Sequence, residues 1–371
     1  MSPVIEIESL APMDIAGRLG RLRAVMSAAG HEALLVTSLE NLRYLTGFTG
    51  SAGMLLVRED TGVLYTDGRY RDQAAEQMAA AGVEAALVVD RPAGQLEALV
   101  KAASSLGQLA LEAAHLNWAR ARFLAERFAG VELLASTGLV EQLRVVKDEG
   151  EVARLEAACQ IADVALAQTK ELLRGRCSEA AFAAELDHEM RRRGASAPSF
   201  ETIVASGPNS ALPHARPSER TISPGELIVI DFGATVDGYH SDMTRTVCVG
   251  EPSDELGALI EAVLTAQRAG VRAVAAGERG VEVDRVCRES LSEAGYGEAF
   301  SHSTGHGVGL QVHEAPAVSQ ESTDILPAGS VVTVEPGAYL HERGGARIED
   351  TVVVTDRGAR ILTKSTKDYT L

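Results

Sequence analysis

The stretch IVIDFGATVDGYHSDMTRT constrains the fold more than any other, because Asp237-Gly238 is a two-residue hairpin turn set between two β-like runs. Side chains along a strand alternate between faces, so a tight turn fixes which residues share a face. Pairing Val236 with Tyr239 sets Gly233 opposite Asp242 and Asp231 opposite Thr244. Asp231 and Asp242 then project from one face as diagonal neighbours. Two carboxylates so placed raise each other's pKa unless a cation lies between them, and the sequence offers no nearby Lys or Arg pair for both. A metal centre is the economical answer. The hairpin alone is equally compatible with two solvated aspartates on an exposed sheet face.

The remaining periodicity separates the 371 residues into two domains, as a chain of this length suggests. Ile15, Leu19, Leu22 and Met26 mark a first helix, with Asp14 as its expected N-cap and Gly30 as its stop. Short apolar runs follow at 33–38, 54–57, 62–66, 85–89 and 108–112, separated by helical patterns near 70–81, 94–105 and 115–128, which predicts an α/β domain over 1–138. From 139 to 371 the pattern predicts an α+β domain. A long helix carries Val152, Leu155, Cys159, Ala162 and Leu166 on one face, and a second follows Ser178 and ends at Gly194. Strands are expected at 200–206, 226–234, 239–249, 330–335 and 346–355, with helices near 253–275 and 281–294. The glycine clusters GFTGSAG and STGHGVGL lack the context of a phosphate or dinucleotide site and read as tight turns.

Five of the nine histidines, His214, His240, His302, His306 and His313, fall within one stretch of one hundred residues of the second domain. His214 sits in LPHARP, the last three sit in HSTGHGVGLQVHE, and two acidic segments follow, VEPG at Glu335 and RIEDT at Glu349. This set resembles the pita-bread metallopeptidases, in particular the Xaa-Pro branch of prolidase and aminopeptidase P. NLRYLTGFTGSAG and YTDGRYRDQA are similar to the amino-terminal creatinase/prolidase-like domain of that branch, and LRVVKDEGEVARL to the helix that opens its catalytic domain.

The resemblance implies that Asp231, Asp242, His306, Glu335 and Glu349, at intervals of 11, 64, 29 and 14 residues, hold two divalent metal ions. Four carboxylates and one imidazole make a mostly hard site that favours Mn²⁺, with Co²⁺ or Zn²⁺ as alternatives. It further implies a proton-shuttling role for Glu335, and substrate contacts from His214 and His313 that stabilise the tetrahedral intermediate. His302 falls at a third substrate-pocket position, and Tyr339 and Arg347 at positions that orient the acidic ligands. His240 and Cys248 are expected to pack rather than ligate, and Cys159 to be core.

The implied reaction is hydrolysis of an amino-terminal Xaa-Pro bond, whose nitrogen carries no hydrogen for ordinary peptidases to grip. An Xaa-Pro dipeptidase is favoured, with Xaa-Pro aminopeptidase, acting on longer proline-containing oligopeptides, as the alternative. Many relatives place an Arg after VHE-x-P, but this chain has Ala317, so a dipeptide carboxylate needs another clamp, for which Arg43 is the candidate. Less favoured readings are a non-catalytic binding protein, which intact ligands argue against, and a creatinase-like amidinohydrolase, which has no use for the metal ligands. The leading domain also argues against a methionine aminopeptidase.

A net charge of −17 repels nucleic acid and anionic membranes, so neither is an expected partner. Four cysteines without CxxC spacing, an amino terminus without signal-peptide character and the absence of a spanning apolar run point to the cytoplasm. A homodimer is expected from the resemblance alone.

Overall fold

In the computed structural model, which describes residues 7–371, the chain divides into two compact units, Met13–Arg144 and Val145–Leu371, the second also taking in residues 7–12. The divide lies a few residues beyond the 138/139 position expected from sequence. The short helix over 141–144 belongs with the first unit because Tyr44 donates to the Leu143 carbonyl at 3.0 Å and Arg144 donates to Asn41 at 2.8 Å. Residues 7–12 join the second unit, where Arg154 donates to the Ala11 carbonyl at 2.9 Å and Leu10 packs on the core.

The first unit contains helices α1 (Arg18–Ala28), α2 (Leu39–Thr46), α3 (Arg71–Ala80), α4 (Pro92–Ala103), α5 (Trp118–Arg127) and α6 (Glu141–Arg144). Its strands are β1 (Ala33–Val36), β2 (Met54–Arg58), β3 (Gly62–Thr66), β4 (Ala86–Val89), β5 (Gln108–Glu112) and β6 (Glu132–Ser136). They form one mixed sheet in the order β4-β3-β2-β1-β5-β6, antiparallel within β1–β2–β3 and parallel elsewhere. Leu35, Leu56, Leu99, Leu109 and Leu124 close its core. α1 starts at Arg18, with Gly17 rather than Asp14 at its N-cap position, and the Asp14 carboxylate pairs with Arg21 at 2.8 Å. Gly30, at φ +76°, ends that segment in the left-handed conformation that suits glycine. α2 and β6 were not expected from periodicity; α2 is started by Ser38, whose hydroxyl accepts from the Asn41 amide.

In the second unit Asp148 and Glu151 form a capping box that starts α7 (Glu149–Thr169), and Ser178 caps α8 (Glu179–Arg192). Strands β7 (Ala197–Pro198), β8 (Ile203–Ser206), β9 (Leu227–Phe232), β10 (Ala234–Val236), β11 (Tyr239–His240) and β12 (Met243–Cys248) follow. Then come α9 (Asp254–Ala273), α10 (Gly280–Glu293), β13 (Gly305–Gly307), β14 (Glu314–Val318), β15 (Val331–Val334), β16 (Gly337–Leu340), β17 (Gly344–Arg347), β18 (Asp350–Thr355) and β19 (Gly358–Ile361). They pair as β12-β9-β8, β11-β10-β7, β14-β13-β15-β18-β19 and the β16-β17 ribbon.

One core joins α7 and α8 to β9 and β12 through residues such as Ala158, Ala162, Phe182, Ile230 and Met243. The other joins α9 and α10 to the five-stranded sheet through Leu259, Val263, Cys287, Val332 and Val352. The hairpin register is as derived, with Val236 opposite Tyr239 and Asp231 opposite Thr244. Cys159 is buried, and Cys248 lies in the second of these cores. Among the described residues no helix is long and apolar enough to cross a membrane.

Candidate metal centre

The centre is assembled within the second unit from strand ends of two sheets. β9 presents Asp231, and the turn before β12 presents Asp242. Glu335 follows β15, Glu349 precedes β18, and β13 carries His306. Asp231, Asp242 and Glu349 each offer an oxygen, all within 4.8 Å of one another, and His306 Nε2 lies 3.3 Å from Glu335 and 3.7 Å from Asp242. The hairpin thus places its two aspartates as counted from the turn, and the partners that decide between a solvated face and a buried centre, His306, Glu335 and Glu349, arrive from 64 to 107 residues beyond Asp242.

Hydrogen bonds fix each group. Thr244, opposite Asp231, donates to Glu349 Oε2 at 2.9 Å, and its backbone carbonyl accepts from the Glu349 amide. Thr333 on β15 donates to Glu335 at 3.1 Å and accepts from the His306 amide. His306 Nδ1 lies 3.0 Å from the Gly307 carbonyl. A carbonyl can only accept, so Nδ1 carries the proton and Nε2 is the nitrogen turned toward the carboxylates. Arg347 Nη2 donates to Asp231 Oδ2 at 2.6 Å, Nη1 to the Tyr339 hydroxyl at 2.7 Å and Nε to Thr244 at 3.0 Å. Arg347 is therefore the nearby cation that the local sequence around the hairpin did not offer.

Burial, and then repulsion from Glu349 and Asp231, pushes Asp242 well above the usual carboxylate range. Burial, Glu335 and Asp231 do the same to Glu349. Asp231 is raised by burial against the opposing pull of Arg347. Burial also works against ionisation of Glu335, but the His306 hydrogen bond and charge outweigh it and hold Glu335 at about 2.

Asp231, Asp242, His306, Glu335 and Arg347 line a cavity of about 420 Å³ together with His214, His302 and His313, beside an apolar wall of Phe200, Ile203, Pro213 and Val312. His313 packs edge-on to His306 with ring centres 4.3 Å apart. His302 lines the cavity with its ring already held by the protein. Its Nδ1 is bonded to the Ser303 carbonyl at 2.8 Å and its Nε2 to the Tyr339 hydroxyl at 2.9 Å, so both ring nitrogens are engaged. With the carbonyl accepting at Nδ1, Tyr339 donates to Nε2 and accepts from Arg347, giving a relay from His302 to Asp231. Arg43 is half-buried on α2 of the first unit.

Thr244 and Thr333 were missed by sequence reasoning. Each occupies a strand position two residues from a ligand, a spacing that puts them outside the ligand's own side-chain row only if a bulge or turn intervenes, and nothing local marks them. Asp284 was missed too. It is buried on α10, pairs with Arg288 at 2.6 Å and accepts from the Thr304 amide, holding the segment between His302 and His306.

Residues 153–356 match the model of metallopeptidase family M24, and residues 18–146 match that of the creatinase/prolidase N-terminal domain. The chain belongs to metallopeptidase family M24. A similar solved M24-type structure is an Xaa-Pro dipeptidase from Bacillus anthracis, with TM-score 0.91 and 40% identity, covering 95% of this chain and 99% of that one. An X-Pro aminopeptidase from Thermotoga maritima gives 0.85 and 37%, covering 94% and 100%. An Xaa-Pro dipeptidase of Pyrococcus furiosus is 35% identical over 353 residues, 95% of this chain and 99% of its own length.

The donor set fits the divalent metals of an M24 centre. Asp231 Oδ1 and Glu349 Oε1 are buried without a hydrogen-bond partner, which is costly for a carboxylate oxygen unless a cation takes that place. A second M24-chain cluster, Glu112, His115 and Glu141 in the first unit, contrasts with it. There the Thr37 and Ser38 amides and Asn41 donate to Glu112, and Asn41 and His115 engage Glu141, so hydrogen bonds already satisfy the oxygens.

Proposed function

We propose that this M24 chain hydrolyses the bond between an amino-terminal residue and proline, with Asp231, Asp242, His306, Glu335 and Glu349 holding two divalent ions, Mn²⁺ foremost. The observation that carries the reading is the convergence of three carboxylates within 4.8 Å, two of their oxygens buried and unpartnered, two of the three residues lining a cavity about the size of a small-molecule site. When bound, such ions polarise the attacked carbonyl and make water a stronger nucleophile at neutral pH.

The chain's own residues do the rest. The Glu335 carboxylate, in contact with the His306 ring, accepts the proton of the attacking water and delivers it to the prolyl nitrogen as that bond breaks. His214 and His313, both exposed to the cavity, donate to the oxygen that gains charge. Arg347 and Tyr339 hold Asp231 and His302 in place, and the Phe200, Ile203 and Val312 wall receives apolar parts of the peptide.

The preferred substrate is an Xaa-Pro dipeptide, supported by the names of the Bacillus anthracis and Pyrococcus furiosus relatives. The Thermotoga maritima relative and Ala317 favour the second reading, an aminopeptidase acting on longer chains. Arg43 as carboxylate clamp, a homodimer and a cytoplasmic setting belong to the same proposal. A mass-spectrometric assay with added Mn²⁺ compares Ala-Pro with Ala-Pro-Ala, beside a chelator-treated control and Arg43→Ala. Faster cleavage of Ala-Pro, lost with chelator, is expected, with Arg43→Ala losing dipeptide cleavage selectively. Faster cleavage of Ala-Pro-Ala makes the chain an aminopeptidase, and turnover that survives chelation contradicts the metal reading.

A further inference from the structure

Lys147 lies just before the capping box of α7, far in sequence from every residue of the centre, yet its side chain is only 1% exposed. Its ammonium pairs with Glu314 Oε1 at 2.8 Å, and the Glu314 side chain is 6% exposed. Its amide donates to the Gly329 carbonyl, in the turn that leads into β15. The chain thus braces β15 and the start of β14 from a single position.

Glu314 follows His313 directly and ends the turn that runs from His306 through Gly309. The other Glu314 oxygen accepts from the Gln311 amide at 3.3 Å. A Cβ at Gly309 would meet Glu314 Oε1 at 2.4 Å, so the turn passes close against this carboxylate at a residue without a side chain. His313 has no comparable anchor of its own: it stands exposed at the cavity and touches the His306 ring.

We infer that Lys147 is a positioning residue for His313: through Glu314 it fixes the 307–314 turn so that the imidazole stays beside His306 and reaches the substrate. The assignment rests on the peptidase reading above for its kinetic consequence, though not for its structural one. A charge pair buried to this degree needs both members, because either one left alone is an uncompensated charge in a dry site. The neutral pair Lys147→Met/Glu314→Gln removes that complication.

Two measurements test the inference. In hydrogen–deuterium exchange of the full chain, peptides covering 307–314 are expected to exchange about tenfold faster in the neutral pair, while those covering β9 and β12 keep their wild-type rates. In Ala-Pro hydrolysis with Mn²⁺, kcat/KM is expected to fall about ten- to a hundredfold, mainly in kcat, because the turn misplaces one catalytic donor. His313→Ala added to the neutral pair should then cost no more than His313→Ala alone.

A general loss of stability would instead multiply with His313→Ala. Multiplicative losses, unchanged turnover, or unchanged exchange over 307–314 overturn the inference. A wild-type enzyme inactive on Ala-Pro overturns the peptidase reading instead, and the exchange measurement then decides the positioning role by itself.

Discussion

In the proposed mechanism Glu335 carries two tasks: it contacts His306 among the candidate ligands and is the carboxylate assigned to move a proton. Glu335→Gln keeps the shape and removes the base, so turnover of Ala-Pro is expected to fall by about 10²- to 10⁴-fold, measured at saturating Mn²⁺ to separate proton transfer from metal loss. Near-normal turnover would remove Glu335 from that role. The five candidate ligand positions stand out in the sequence because acidic residues and histidine in distinctive short motifs are chemically loud. Thr244 and Thr333 are not: a threonine in a strand is ordinary β-former material, and only the folded chain sets their hydroxyls on Glu349, Glu335 and Arg347. His302 shows the same limit, since its motif says that it reaches the cavity but not that Tyr339 and Ser303 occupy both nitrogens.

Elements with strong periodicity or a decisive turn were readable in advance, and the hairpin is the clearest, since one Asp-Gly turn set the register of six paired positions from Met243↔Phe232 to Cys248↔Leu227. α2 escaped because eight residues are too short to show a helical period, and β6 because Glu132–Ser136 is only partly buried and so less apolar. α1 starts later than expected, with Gly17 rather than Asp14 at its N-cap position. α7 was legible from both its apolar face and its start, and the Asp148–Glu151 box that begins it follows directly on Lys147. Asp148→Ala is expected to lower stability by about 0.5–2 kcal/mol, read from denaturant unfolding with an unchanged slope. No change in the midpoint would mean that the cap contributes nothing beyond what solvent supplies.

At the scale of the whole molecule, the centre is a place where folding concentrates like charge. Burial and mutual repulsion raise Asp231, Asp242 and Glu349, and a carboxyl raised in the folded state gives stability that is intact below its ordinary pKa and lost as pH climbs through the raised value. Glu335, lowered to about 2, has the opposite sign, and its contribution is lost only as pH falls toward that value. The metal-free protein is therefore expected to lose stability as pH rises above about 4, and divalent ions, which displace protons and cancel the repulsion, to restore it at neutral pH. The most direct measurement is a titration of chelator-treated protein with MnCl₂ at neutral pH, by calorimetry with elemental analysis, followed by thermal unfolding with and without metal from about pH 5 to 8. Two ions per chain are expected, with a rise in unfolding temperature that shrinks toward pH 5, and with Asp242→Asn losing both the stoichiometry and the rise. Binding of no ion, or stabilisation that survives Asp242→Asn at every pH, would contradict a dinuclear centre at Asp231, Asp242, His306, Glu335 and Glu349.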